Sequence, residues 1–501
     1  MNGRRENYFA ENAAKTSSLK VLLAFVALMF GCAVGPNYRT PSVETPPAYK
    51  EASDWKPAQP NDQNLGGDWW TAFQDPQLDK LELQVNVSNQ NLIATEAQYQ
   101  QSRAVLRYYR ADYYPTVTAG LSGTRTRTSS RRPPPTSIFD GITYNDFILP
   151  VDVSYEADVW GRVRRTVESY REQAQASAAD LAAVNLSMHA DLAIDYFQAR
   201  SLDAEEQLLT STVKQYEDAL ELTQSRFDGG LSSEVEVQQA KTQLDTTRAL
   251  AIDVGVLRAQ YEHAVAILVG KPPADLSLPP LPLTAPPPLI PISMPSELLE
   301  RRPDIASAER LVAAANAQIG VAKSAYYPVI GLTAGGGFES SGISTLLNGP
   351  SGLWSIGASA LGTVFDGGRR RALTDQARAA YDFQVAAYRE SVLTGFQQVE
   401  DNLAAVRILE NEAKVQDEAV TAAQRSLDLS ITRYKGGVTS YLEVITAQSA
   451  ALQDEVTAVN ILGRRMANTV LLIQALGGGW DRSSLPARPE CCGKLVSVNS
   501  N

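Results

Sequence analysis

The chain's only two histidines, His189 and His263, are the first candidates for chemistry. His189 shares a stretch with Asp191 and Asp195, and an imidazole beside carboxylates can hold a divalent metal or relay protons. The spacing argues otherwise. Both histidines sit in long runs of helix-forming residues, and neither has a cysteine or carboxylate cluster at ligand spacing. Acidic residues every few positions are what an exposed helix carries. Gly229–Ser233 (GGLSS) has no strand before it to make a phosphate loop. Gly335–Gly337 follows a strand-like run without opening a helix. No nucleophile elbow occurs. The sequence therefore names no catalytic residue, no metal site and no cofactor, and the reading is of a protein that is not an enzyme.

Charge and cysteine content narrow the class further. The 501 residues carry 45 basic and 56 acidic side chains, a net charge of −11. Such a chain is poorly matched to nucleic acid, which is bound by clustered Lys and Arg. The first thirty residues are unlike the rest. Arg4, Arg5, Lys15 and Lys20 precede the apolar run Val21–Phe30, which ends at Gly31-Cys32. Ten residues of helix span ~15 Å, half a bilayer core, so the run reads as a secretory signal over residues 1–31. A cysteine after a small residue resembles a bacterial lipobox, although Met29 and Phe30 replace the usual Leu and small residue. Cys32 would then be the lipidated first residue, held by acyl chains at ~0.8 kcal/mol per buried methylene. Without residues 1–31 the chain loses four basic and two acidic residues and moves from −11 to −13. Cys491 and Cys492 are adjacent, a poor arrangement for a structural disulfide.

A short phrase occurs twice. Arg226–Val237 reads RFDGGLSSEVEV and Arg433–Val444 reads RYKGGVTSYLEV. Ala111–Gly123 (ADYYPTVTAGLSG) likewise matches Ser324–Gly336 (SAYYPVIGLTAGG), and Val159–Arg165 faces Phe365–Arg371. The landmarks come in one order in each half, so two structural repeats are expected. Between them Lys271–Pro295 holds ten of the 27 prolines, an extended connector.

Within each half, Tyr-Tyr-Pro is followed by segments rich in Thr, Val, Tyr and Ile, about the length of tilted membrane strands. These are 115–128 and 144–159, then 328–340 and 352–365. Long runs nearly free of Gly and Pro follow. From Arg162 to Phe227 there is neither, about 100 Å as helix. Leu209, Val213, Tyr216 and Leu220, and Val392, Phe396, Val399, Leu403 and Val406, recur at coiled-coil spacing. Four strands cannot close a cylinder with a lumen, and an open edge in hydrocarbon costs several kcal/mol per unpaired group. Three chains would supply twelve strands.

Cys32–Pro41 (CAVGPNYRTP), Asp68–Leu78 (DWWTAFQDPQL), Leu298–Pro328 and the two Gly-Gly phrases resemble the TolC-like outer-membrane efflux ducts, in their OprM/NodT-type lipoprotein branch. The resemblance covers nearly the whole chain after residue 31. It implies an α+β membrane protein: a homotrimer whose 12-stranded transmembrane β-barrel, four strands per chain, continues into a long periplasmic α-helical barrel. The domains expected are a signal peptide (1–31), a lipid-anchored extended segment (32–74), repeat 1 (75–270, β-hairpin 115–159, helical hairpin 162–269) and the connector (271–295). Repeat 2 (296–476, β-hairpin 328–365, helical hairpin 369–475) and a tail (477–501) complete the chain. Implied partners are outer-membrane lipid, a periplasmic adaptor and an inner-membrane RND-type transporter, the chain being the exit duct of a tripartite pump for drugs or other small molecules. Each Gly-Gly phrase becomes a helix reversal at the periplasmic tip. The resemblance assigns adaptor contact to Gly230, Leu231, Ser232, Gly437, Val438 and Thr439. It assigns the periplasmic gate to Leu442 and Glu443, with Glu236 and Glu234 in the first half. Thr446 stands where the family often has Asp, so a double acidic ring is not expected. Carboxylates repeated by threefold symmetry would raise the negative potential there and attract cations. Two rivals remain: an exit duct for a secreted polypeptide, and a lipid-anchored coiled-coil tether without a pore.

Overall fold

A computed structural model describes residues 33–52, 67–130, 141–290 and 295–486, with two compact units. The expected signal, the lipidation site Cys32, and Cys491 and Cys492 lie outside the described residues.

The first unit gathers residues up to 41, 101–174 and 309–386 around a sheet. Its strands are β1 (Thr116–Ala119), β2 (Ser122–Arg127), β3 (Thr143–Ala157), β4 (Val329–Ser340) and β5 (Gly352–Leu361). All neighbours are antiparallel, in the order β1–β3–β4–β5 with β2 also on β3. The sequence reads 115–128 as one unbroken strand, and here the structure differs. β1 and β2 hold a single register against β3 and part only at Gly120 and Leu121. The cause is Pro150 in β3: Gly120 N donates to Pro150 O at 3.1 Å, but proline has no N–H to return the bond. On its other side Pro150 faces Gly337, where an added Cβ would come within 2.2 Å of Leu149 O. The sheet thus consists of four strands in effect, with β1/β2 and β5 as its two edges.

Residues directly opposite in a sheet share a face, and neighbours along a strand alternate. Phe147, Leu149, Val151, Val153 and Tyr155 therefore stand together, alongside Val117, Leu332 and Ile356 of the other strands. The other face carries Asp146, Asp152, Ser154 and Glu156 with Thr118, Thr333 and Ser359. Every helical connection leaves the sheet at one end. There Trp160 stacks on Tyr327 (4.7 Å between centroids) and donates through Nε1 to Pro328 O at 2.9 Å, which gives the second Tyr-Tyr-Pro its role. Asp158 accepts from the N–H groups of Val163 and Arg164 and so caps the helix that follows; Asp366 does the same for Gly368 and Arg370. Residues 33–38 lie against the helices of this unit. Asn316 Nδ2 donates to Pro36 O (3.1 Å), Arg165 reaches Val34 O and Asn37, and Tyr38 donates to Glu309.

The second unit holds residues 42–100, 175–308 and those from 387 onward. In chain order the helices are α1 (Pro76–Ser88), α2 (Gln90–Arg110), α3 (Arg162–Asp228), α4 (Glu234–Leu268), α5 (Pro295–Arg301), α6 (Pro303–Ser324), α7 (Arg369–Lys435) and α8 (Tyr441–Ala475). Asp75 caps α1 by accepting from the N–H groups of Gln77 and Leu78, with Pro76 in the first turn. The heptad-spaced residues face inward: Leu209, Tyr216, Val392, Val399 and Leu403 are buried. Each contributes about 1.5–3 kcal/mol relative to exposure.

The described part of the connector, residues 271–290, is extended apart from a short turn at Pro273–Asp275, and a buried cluster holds it. Asp203 accepts from Leu281 N (2.8 Å), from Arg200 (2.9 Å) and from Arg258 (3.0 Å), while Arg200 also donates to Pro279 O and Gln77 Oε1, each at 2.7 Å. Residues 50 and 51 bind the second helical pair in a similar way. Their N–H groups donate to the Glu400 carboxylate (2.7 and 3.0 Å), and the Glu51 carboxylate pairs with Arg407.

Candidate functional site

The two Gly-Gly phrases fold alike. At the end of α3, Gly230 takes φ +72°, and Gly437 after α7 takes φ +69°. In each turn the glycine N–H returns to the third residue back (Phe227 or Tyr434) and the next N–H to the fifth (Arg226 or Arg433), at 2.8–3.0 Å. This is a Schellman stop, which needs a left-handed residue and so favours glycine. The apolar residue that follows is left in the open: Leu231 is 73% and Val438 72% exposed. Ser232 then donates to Glu236, and Thr439 to Glu443, so each new helix has a carboxylate tied into its first turn, where the helix dipole favours it.

The two turns meet through a buried patch. Tyr434 and Tyr441 pack at 5.2 Å with Ala240 and Val444, flanked by Leu220, Ile431 and Ile445. The Arg226 guanidinium lies 4.8 Å over the Tyr434 ring, and the Tyr434 hydroxyl donates to Glu236 at 3.4 Å. Farther from the turns, Tyr216 donates to Gln448 O at 3.3 Å. Burial pushes the Tyr441 phenol up to about 12, so it stays neutral.

The expected gate residues do not all gather. Glu234 and Leu442 line one groove of about 510 Å³ between the starts of α4 and α8, together with Val235 and Ile445. Glu236 lies behind them at the tyrosine patch. Thr446 is exposed and donates to Leu442 O within its own helix. Glu443 departs from expectation: Arg433 Nη1 approaches its carboxylate to 3.0 Å. An uncompensated negative charge is therefore not found at 443, because an arginine across the turn balances it. Glu234 and Glu236 have no ion-pair partner among the described residues.

His189 has long-range partners. His189 is buried, but its partners are not Asp191 and Asp195. Nδ1 lies 2.6 Å from Glu82 Oε2, Nε2 lies 3.0 Å from Asn86 Oδ1, and the ring stacks on Trp70 at 4.5 Å. Burial pushes Glu82 up to about 9 and His189 down to about 4. The geometry agrees. Asn86 Oδ1 accepts from Asn185 as well as from Nε2–H, which leaves Nδ1 to accept a hydrogen bond from the Glu82 carboxyl. The other Glu82 oxygen has no partner, as suits a neutral acid. The pair is a neutral buried contact that fixes the Trp-Trp segment to α1 and α3. Among the described residues no three His, Cys, Asp or Glu side chains gather as metal ligands.

Sequence reasoning passed over Arg200, Asp203, Arg258 and the Glu82–His189 pair, because each joins residues far apart in the chain. One signal was in view: Arg302, in the LLERRPD phrase, donates to Ala475 O (3.0 Å), Gln398 (2.8 Å) and Asp304, and so closes the end of α8.

With this geometry in hand, the class follows: the chain belongs to the outer membrane efflux protein family, whose model matches residues 83–271 and 294–478. It is 32% identical over 469 residues to a probable efflux pump outer membrane protein, TtgC, of Pseudomonas putida (93% of this chain, 96% of the relative). It is 30% identical over 477 residues to the cation efflux system protein CusC of Escherichia coli O6:H1 (93% and 100%). Among solved structures, the outer-membrane channel OprN superposes with a TM-score of 0.83 at 29% identity, covering 90% of this chain and all of that one. The protein is an outer-membrane efflux duct.

Proposed function

We propose that three copies close one barrel, the β1/β2 edge of each pairing with the β5 edge of the next. The observation that carries this is the two-faced, four-stranded sheet with both edges unpaired. One face is a continuous apolar surface fit for hydrocarbon, and the other is lined with Asp, Ser and Thr fit for a wet lumen. The helices α3, α4, α7 and α8, built from two like halves, continue the cylinder into the periplasm. Its far end closes at the Gly-Gly turns, with Leu442, Glu443, Thr446, Glu236 and Glu234 as gate residues.

The exposed Leu231 and Val438, each between a glycine and Ser232 or Thr439, are the adaptor contact, with Gly230 and Gly437 shaping the turns. Adaptor and inner-membrane transporter supply the energy and the opening; the duct is passive. Lipid on Cys32 would anchor the segment that the first unit holds at residues 33–38. The cargo is a small molecule, a reading supported by relatives named for toluene, antibiotic and cation efflux. Planar-bilayer recording tests the channel. Reproducible single-channel steps are expected, and their absence even in variants with an altered tip would favour a tether.

A further inference from the structure

The apolar face of the sheet ends in two arginines. Arg125 lies opposite Asn145 and Arg127 opposite Thr143, which places both on the face of Phe147 and Leu149. From Tyr155 to Phe147 that face runs eight residues along β3, about 27 Å of strand and about 20 Å of depth at a tilt of about 40°. This is close to the apolar height of a membrane barrel. Arg125 is the next position on that face beyond the Gly123–Phe147 pair, about 7 Å farther from the helices, and Arg127 is one step beyond it.

At the opposite end of the sheet, Arg162, Arg164 and Arg370 are each paired with a carboxylate, from Glu156, Asp158 and Asp366. The Arg125 and Arg127 side chains are exposed and have no hydrogen bond or ion pair among the described residues. An arginine on the lipid side is costly at mid-bilayer but nearly free near the interface. It favours phosphate, which its planar fork binds through two hydrogen bonds.

We propose that Arg125 and Arg127 form a rim that binds the phosphate groups of the glycolipid in the outer leaflet. This rests on the barrel reading, which makes the apolar face the lipid face and the β2–β3 end the outer end. In an acidic chain, two neighbouring guanidinium groups with no partner among the described residues, where apolar surface gives way to polar, complement a phosphorylated head group. The rim fixes the depth of the barrel and adds a lipid contact at each β1/β2 edge.

The test uses the full chain purified in detergent, with diphosphorylated lipid A as the probe and dephosphorylated lipid A and inorganic phosphate as comparators. Wild type should bind diphosphorylated lipid A at least about tenfold more tightly than R125Q/R127Q, and an R389Q control should bind as wild type. Dephosphorylated lipid A should bind wild type and the double variant equally. Equal binding of diphosphorylated lipid A to wild type and double variant overturns the rim, as does competition by inorganic phosphate at equal concentration. Heat-resistant trimers in the outer-membrane fraction keep the two readings apart. If wild type forms them but lipid binding is unchanged in the variant, the rim alone is refuted; if wild type forms none, the barrel reading and the rim fail together.

Discussion

The Tyr434 hydroxyl donates to the Glu236 carboxylate across 3.4 Å, joining the last turn of α7 to the first turn of α4. Two helical hairpins that are distant in sequence are thereby latched within one protomer, with the Arg226 guanidinium over the same ring. In the proposed duct, opening of the tip would part the hairpins, and this latch would oppose it. Its loss in Tyr434→Phe removes about 1 kcal/mol, about a fivefold change in the closed-to-open ratio. Single-channel recording should show a several-fold rise in open probability; wild-type gating in the variant would remove the latch from the mechanism.

Glu443 and Arg433 make the second tip contact, and both are partly exposed, so the pair is worth at most about 1 kcal/mol of stability. Its effect should appear in conduction instead. Glu443→Ala loosens the first turn of α8 and leaves Arg433 unbalanced, so basal conductance should rise and cation preference should fall. The double variant E443A/R433A should restore the cation preference. Unchanged conductance in E443A would take Glu443 out of the gate.

The Glu82–His189 pair predicts a pH dependence whose sign is fixed. Folded, the pair keeps one proton between about 4 and about 9. Unfolded, with ordinary values of 4.5 and 6.5, it also holds one proton between these two and none above. Stability from this pair is therefore flat between 4.5 and 6.5 and falls as pH rises from 6.5 toward 9, by up to about 1.4 kcal/mol per unit. Glu82→Gln keeps a neutral donor and should flatten that decline. Urea unfolding followed by tryptophan fluorescence reads it, and an equally steep decline in the variant would contradict the neutral pair.

Asp203 is the acid on which Arg200, Arg258 and the connector converge. Replacing it with Ala leaves the buried Arg200 guanidinium without a carboxylate, at a cost of about 3–5 kcal/mol, while Arg258 keeps its pair with Glu262. The midpoint of denaturation should drop accordingly. A drop no larger than that of an exposed-site control such as Asp245→Ala would show that the connector is not clamped there.

Much of this molecule can be read from local chemistry. The glycine turns, the Gly- and Pro-free helices and the Asp75 cap depend on residues close in the chain, and their positions in the structure agree to within a few residues. The break between β1 and β2 could not be read from 115–128 alone, since its cause, Pro150, is on the neighbouring strand. The same holds at the site. Gly230 and Gly437 announce themselves by the turns they permit. The Arg433–Glu443 balance and the Tyr434–Glu236 latch arise from chain reversal and inter-hairpin packing, which periodicity does not encode. His189 is a further case: its neighbours in sequence are acidic, but its partner Glu82 comes from α1.

The most direct test of the account is whether neighbouring copies share sheet edges. With Cys491 and Cys492 replaced by Ser, a cysteine at Thr118 on one edge and another at Ser355 on the other would be treated with short bis-maleimides in intact outer membranes. Within one copy β3 and β4 separate these edges by about 14 Å. Shared edges predict covalent dimers and trimers in the double-cysteine protein and none in either single variant. Monomers alone, at every linker length, from protein correctly placed in the outer membrane would contradict edge sharing.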